Sequence, residues 1–479
     1  MKRQSGVLLP VSALPGEYSC GSFGQAAERW IDRLEANGFS VWQVLPFCLP
    51  DDFDSPYKSY SAFSANPFFI DLDGLFSDGL LTKGELLSAE QHTPYACEYD
   101  RLRKDRLPLL ATAAGRVTDR APIEAFLAEH PHTADFCEFM ALRAANGDRP
   151  WYEWTKTEGD GDVRFLWQFC QYTFFRQWKK IRDYAAMRGV EVIGDIPMYV
   201  DLDSADVWAA PDNFQLDGRH RPTAVAGVPP DYFSEDGQLW GNPLYRFDRM
   251  KKDGYRFWRD RMAAMAEWFD GVRIDHFRAI ASYYSIPADA KTAKAGTWKR
   301  GPGMSLIRAL REAAGRTRLI AEDLGDITPD VEALLEKSGL PGMRVLQFGF
   351  LDDAPSVHRP HRYPENCVAY TGTHDNNTLL GYMFDASESE RRRLLSYCGY
   401  EEREWNRPAA YHAVLRALFR SAAATVIVPV QDILLYGKDT RINVPGRPFG
   451  NWTYRVTEEQ LSGADWTFFK EINHIYERN

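Results

Sequence analysis

Apolar positions divide the chain into short β-branched runs and longer amphipathic segments. Residues 269–277 show the first kind: in Phe269-Asp-Gly-Val-Arg-Ile-Asp-His-Phe277, Val272 and Ile274 alternate with Arg273 and Asp275. A period of two predicts a strand, with Arg273 and Asp275 on one face and the apolar pair on the other. Counting this one, eight strand candidates begin near residues 7, 40, 190, 271, 319, 343, 368 and 425. Between most of them the pattern lengthens to a helical period. Ser22 reads as an N-cap with Gln25 at the capping-box position, Phe23, Ala26, Ala27, Trp30 and Leu34 form an apolar stripe, and Gly38 ends the segment. Further helices are predicted over 165–188, 257–269, 304–314, 387–398 and 408–422. Thr328 with Pro329 opens another, which Gly339 closes.

Repeated β-α units predict an α/β fold, a (β/α)8 TIM barrel spanning 1–479 as one catalytic domain. A doubly wound sheet is the alternative, disfavoured because no Gly-rich phosphate loop follows a strand. Two stretches interrupt the alternation. Residues 50–165 are loop-rich and then helical, and read as an insertion subdomain after the second strand. Residues 201–245 are rich in Gly, Pro and Asp with little periodicity, and read as an insertion or lid loop after the third. Both insertions are expected around the C-terminal mouth of the barrel.

Composition narrows the function classes. The chain is 44% hydrophobic and 26% charged, with a net charge of −10. That balance argues against nucleic acid or an anionic membrane as partner, and no apolar run is long enough to span a bilayer. Seven scattered cysteines without a C-x-x-C pair, and an N-terminus without a signal-peptide core, predict a reduced, cytoplasmic protein. Aromatic residues reach 14%, and several lie in loops such as 54–60 and 231–233. Aromatic faces in loops suit ligands with flat apolar faces, sugars among them.

The candidate chemistry is acidic. Asp195, Asp275, Glu322 and Asp375 stand at or near four strand ends, flanked by Arg273, His276 and His374. A barrel gathers strand ends around one mouth, so these positions can converge. Clustered carboxylates suit three chemistries. Metal binding is one, but the spacings match no metal motif and no metal site is predicted. Proton abstraction beside a carbonyl usually recruits a Lys or a metal, and no strand end supplies a Lys. Glycosyl transfer needs one carboxylate as nucleophile and one carboxylic acid to protonate the leaving oxygen.

Several stretches then carry a specific resemblance. They are Ser55-Pro-Tyr-Lys-Ser-Tyr-Ser-Ala-Phe63, Gly194-Asp-Ile-Pro-Met-Tyr-Val200, Ala226-Gly-Val-Pro-Pro-Asp231 with Gly237-Gln-Leu-Trp-Gly-Asn-Pro243, residues 269–278, Ala321-Glu-Asp-Leu-Gly325, Gly372-Thr-His-Asp-Asn376, and Arg441-Ile-Asn-Val-Pro-Gly446 with Gly450-Asn-Trp452. In order and spacing, over about residues 6–456, the chain resembles the 4-α-glucanotransferases, or amylomaltases, of glycoside hydrolase family 77. The resemblance implies a retaining enzyme without cofactor. It would move α-1,4-glucan segments from maltooligosaccharides, starch or glycogen-like glucans to the 4-hydroxyl of an acceptor glucan or glucose.

The resemblance also implies roles. Asp275 would be the nucleophile, positioned by Arg273, and Glu322 the general acid and then base. Asp375 and His374 would hold hydroxyls of the transferred sugar, on which Tyr57 would stack. Asp195 would shape the same subsite, with His276 counted among the substrate-binding residues. The loop carrying Asp231, Glu235, Gln238 and Trp240 would partly cover the cleft, and Asn443 would lie near the donor sugar. Tyr382 and Tyr454 stand where the family more often has Trp, Lys58 where Gln is common, and Leu435 where Gly is frequent. An α-amylase-like hydrolase with the same acids is the nearest rival, and a non-catalytic glucan-binding protein a more distant one.

Overall fold

The computed structural model describes residues 2–230, 235–401 and 404–479. Its strands, numbered along the chain, are β1 (Gln4–Leu8), β2 (Val41–Gln43), β3 (Glu191–Ile196), β4 (Ala224–Val228), β5 (Gln238–Pro243), β6 (Gly271–Ile274), β7 (Ser282–Pro287), β8 (Thr297–Arg300), β9 (Arg318–Ala321), β10 (Gly342–Val345), β11 (Cys367–Tyr370) and β12 (Thr425–Pro429). Eight of them form one sheet in the order β10-β11-β12-β1-β2-β3-β6-β9, every pairing parallel. The Ala321 amide donates to the Pro341 carbonyl at 2.9 Å, joining β9 to the approach of β10 and closing the cylinder. The fold is therefore the (β/α)8 barrel that the eight runs predict.

Burial on both faces explains why the strands read as apolar runs. Every residue of β1, β2, β6, β11 and β12 is buried. Outside the cylinder, the helix Gln25–Ala36 buries Ala27, Trp30, Ile31 and Leu34 against it. Ser22 does not cap this helix. The helix starts at Gln25 behind Gly24, with no side-chain cap, because the Phe23 amide donates to the Phe69 carbonyl and holds the approach extended. Phe23 instead packs among Phe47, Phe69, Phe174 and Trp178. The long helix before β3 runs Gly161–Met187 and starts where the Asp160 carboxylate accepts from the Asp162 and Val163 amides. At one point the cylinder requires a glycine: a Cβ on Gly194 in β3 would lie 2.2 Å from the Phe269 ring that leads into β6.

Between β2 and the long helix, helices at 72–77, 83–88, 99–101, 107–115, 121–129 and 131–145 occupy much of the stretch 50–165. The described part of the stretch 201–245 has more regular structure than its composition suggests. It supplies β4 and β5, half of a four-stranded antiparallel sheet of order β5-β4-β7-β8. The other half comes from the connection after β6. Among the described residues, no helix is long and apolar enough to cross a membrane.

Candidate active site

The site is built on the adjacent strands β3 and β6, where Asp195 is in register with Arg273. Arg273 Nη1 lies 2.5 Å from Asp195 Oδ2, and its Nη2 lies 2.9 Å from Asp275 Oδ1. The alternation of Val272 and Ile274 with Arg273 and Asp275 thus puts the ion pair on one face. The Tyr57 hydroxyl donates to Asp195 Oδ2 at 2.7 Å, while Asp195 Oδ1 is buried without a partner. Burial works against the Arg273 charge, but Asp195 and then Asp275 outweigh it and hold the guanidinium well above its ordinary value. Burial likewise lifts the Asp195 carboxyl, with Arg273 pulling the other way.

Glu322 follows β9 directly. Its amide donates to the Ile274 carbonyl at 3.1 Å, and its Oε2 accepts from the His276 amide at 2.7 Å. The backbone that carries Asp275 therefore also fixes the Glu322 carboxyl. His276 adopts φ +48, in the left-handed region, as the chain turns here. Burial raises the Glu322 pKa well above the ordinary carboxylate range; Arg273 opposes the shift and the Asp275 charge adds to it. The His276 imidazole, pushed down by burial to about 4, lies edge-on to the Trp240 ring at 4.9 Å.

Asp375 and His374 follow β11. His374 Nε2 stands 3.4 Å from Asp375 Oδ1, which also accepts from Asn443 Nδ2 at 2.6 Å. Arg441 donates to the Asp375 carbonyl at 2.8 Å, tying the 441–443 segment to this loop. The Tyr57 ring stacks on the His374 ring, 5.1 Å between centroids and 14° apart, with Trp452 tilted against both.

These groups surround a cleft of about 440 Å³. Asp275, Glu322, Asp375, Arg273, His374, His276, Tyr57, Gln238, Trp240 and Asn443 all line it. Asp195 lies behind them, held by Tyr57 and Arg273. Glu235 is exposed and is not part of this lining, and Asp231 falls outside the described residues. The lining also includes Lys58, Tyr199, Asn242 and Trp452, which sequence reasoning did not assign to the site. Three of these signals were available. Tyr199 follows Asp195 just past a strand end, Trp452 sits in a Gly/Asn loop, and Lys58 adjoins Tyr57. Among the described residues, no group of three or more His, Cys, Asp or Glu side chains is arranged to hold a metal ion. The arrangement offers a guanidinium-paired carboxylate, a half-buried carboxyl with a raised pKa and an aromatic wall, a set that can protonate a leaving oxygen while stabilising positive charge at carbon.

A family model described as 4-alpha-glucanotransferase, glycoside hydrolase 77, matches residues 9–461. The chain is 40% identical to the 4-alpha-glucanotransferase of Streptococcus pneumoniae, over 100% of this chain and 98% of that protein. It is also 40% identical to the 4-alpha-glucanotransferase of Thermus thermophilus, over 96% of each. Among solved structures, the amylomaltase from Streptococcus agalactiae in complex with acarbose aligns over 100% of both chains with a TM-score of 0.95 and 36% identity.

Proposed function

The chain belongs to the 4-alpha-glucanotransferase family, glycoside hydrolase family 77, and from that premise we propose that it is a retaining enzyme transferring α-1,4-glucan segments. Donors are maltooligosaccharides and starch or glycogen-like glucans; acceptors are glucans or glucose. Asp275 attacks the anomeric carbon while the Glu322 proton passes to the glycosidic oxygen, so the reducing-end fragment leaves and a glucosyl ester remains. Glu322, now ionised, takes the proton of an acceptor 4-hydroxyl. That oxygen attacks the same carbon and frees Asp275, so configuration is retained. Arg273 holds Asp275 in line, Asp375 and His374 bind hydroxyls of the distorted ring, and Tyr57 stacks on it. No step in this scheme calls for a cofactor. The buried thiols fit a reduced, cytoplasmic setting.

The observation that carries the proposal is the half-buried Glu322 carboxyl, its pKa raised, beside the Asp275–Arg273 pair in one cleft. The pair of roles needs one acid kept protonated and one carboxylate held by a cation. Transfer competes with hydrolysis for the glucosyl ester. A thousandfold preference for a sugar acceptor requires only about 4 kcal/mol of barrier difference, and aromatic walls that hold an acceptor and exclude water can supply it. Incubation with maltotriose is expected to give a ladder of longer malto-oligosaccharides plus glucose. Glucose and maltose alone, without elongation, would establish hydrolysis instead.

A further inference from the structure

β9 and β10 stand at the two ends of the sheet order, with no ladder between them among the described residues. The cylinder closes here through the Ala321 amide and the Pro341 carbonyl. One step further along, a side chain takes over from the backbone. Asp323 Oδ1 accepts from the Met343 amide at 2.5 Å, and its Oδ2 accepts from Arg344 Nη1 at 2.8 Å. Two residues on, the Val345 amide likewise donates to a side chain, His358 Nδ1, at 3.1 Å. The Asp323 carboxylate therefore stands in for a carbonyl that a parallel ladder would supply. It is 7% exposed. Glycine at 342 makes room for it, since a Cβ there would lie 2.7 Å from Asp323 Oδ2.

Glu322 sits between these two seam contacts. Toward β6 its own backbone is fixed: its amide donates to the Ile274 carbonyl and its carbonyl accepts from the Phe277 amide at 3.2 Å. Toward β10 it is held through its neighbours, by Ala321 before it and Asp323 after it. Asp323 lines a cavity with Gly342, Arg344 and His358 that is separate from the cleft, so it touches no sugar bound at Glu322.

A buried Asp–Arg pair is weak evidence for stability, because desolvation offsets much of its attraction. Its place in the chain gives this pair a second consequence. A proton donor displaced by about 1 Å can lose on the order of a hundredfold in rate, and the seam beside Glu322 is where its strand has no ladder to resist displacement. We infer that Asp323 is a positioning residue, whose carboxylate replaces the missing rung between β9 and β10 and so holds Glu322 in line with the leaving oxygen. The inference rests on the reading of Glu322 as general acid and base.

Asp323→Ala, Asp323→Asn and Glu322→Gln are compared with the native chain in two reactions. Transfer from maltotriose needs Glu322 to give a proton and then take one. Fluoride release from α-maltotriosyl fluoride with azide as acceptor needs neither: Asp275 displaces fluoride, and azide then displaces Asp275. In Asp323→Ala, kcat for maltotriose falls about a hundredfold. The fluoride–azide reaction stays near the native rate, because the proton transfers that a displaced acid impairs are absent from it. Asp323→Asn keeps an oxygen for the Met343 amide and loses about tenfold on maltotriose alone; it decides the matter if the Ala variant does not fold. Equal losses in the two reactions, or native rates in both, overturn the positioning role. A Glu322→Gln chain that loses both reactions equally overturns the acid–base reading of Glu322 itself, whatever the Asp323 variants do.

Discussion

At the scale of single residues, Glu322 is where surroundings decide chemistry. Burial is the largest influence on its proton, the Asp275 charge adds to it, and the folded-state pKa lies well above that of a free glutamate. Ionisation therefore costs the folded state more than the unfolded one. The contribution to stability is full below the ordinary Glu value of about 4.3 and is lost as pH rises through the folded value. His276 acts in the opposite sense. Its pKa is lowered to about 4, so its contribution is present above the ordinary His value and lost as pH falls through the folded one. Glu322→Gln isolates the first effect, since His276 is common to both chains. The Gln variant is expected to match the native chain near pH 4 and to gain on it steadily toward pH 8 in urea unfolding. Transfer should fall about a hundredfold or more, because a general acid is lost. Parallel stability curves for the two chains would remove the argument for a raised Glu322 pKa.

At the scale of elements, β3 and β6 must approach closely enough for Arg273 to reach Asp195, and Gly194 permits it. A methyl there would meet the Phe269 ring at 2.2 Å. Gly194→Ala is accordingly expected to destabilise the fold by about 1–3 kcal/mol, read as a lower unfolding temperature; an unchanged midpoint would mean that Phe269 can move aside. The same packing explains what was legible. The eight barrel strands announce themselves because both faces are buried and β-branched residues fill them. The antiparallel sheet does not. β5, Gln238–Pro243, is largely exposed and contains Gly and Pro, and all of β8 is exposed. Strands without a buried face have no reason to alternate, so β5 and β8 read as irregular chain. Ser22 misled for a related reason: a capping residue type is a local signal, and the Phe23–Phe69 backbone hydrogen bond is a tertiary one.

At the scale of the whole molecule, convergence of Asp195, Asp275, Glu322 and Asp375 could be anticipated once a closed cylinder was assumed, since closure alone brings distant strand ends together. Tyr199 is near enough to the end of β3 to be drawn in by the same closure, whereas Trp452 is positioned by a loop rather than by strand register. Closure itself depends on β1 pairing with β12, and the far end of that pair is held by a residue remote in sequence. Arg478 is fully buried. Its Nε donates to the Phe419 carbonyl at 2.7 Å, its Nη2 to Ser421 at 3.0 Å, and its Nη1 to Ala423 at 2.9 Å and Gln4 at 3.2 Å. These acceptors lie at the start of β1 and just before β12, at the end of the cylinder away from the acids. Arg478→Met keeps most of the aliphatic bulk but removes this donor from four carbonyls, of which those of Phe419 and Ser421 still accept from Arg3, so stability should fall by about 1–3 kcal/mol. Below the transition, kcat and KM for maltotriose should stay near native values, because nothing that touches the cleft has changed. A native unfolding midpoint would mean that other donors replace the guanidinium. Loss of activity in a chain that is still folded would mean that strain at one end of the barrel reaches the other.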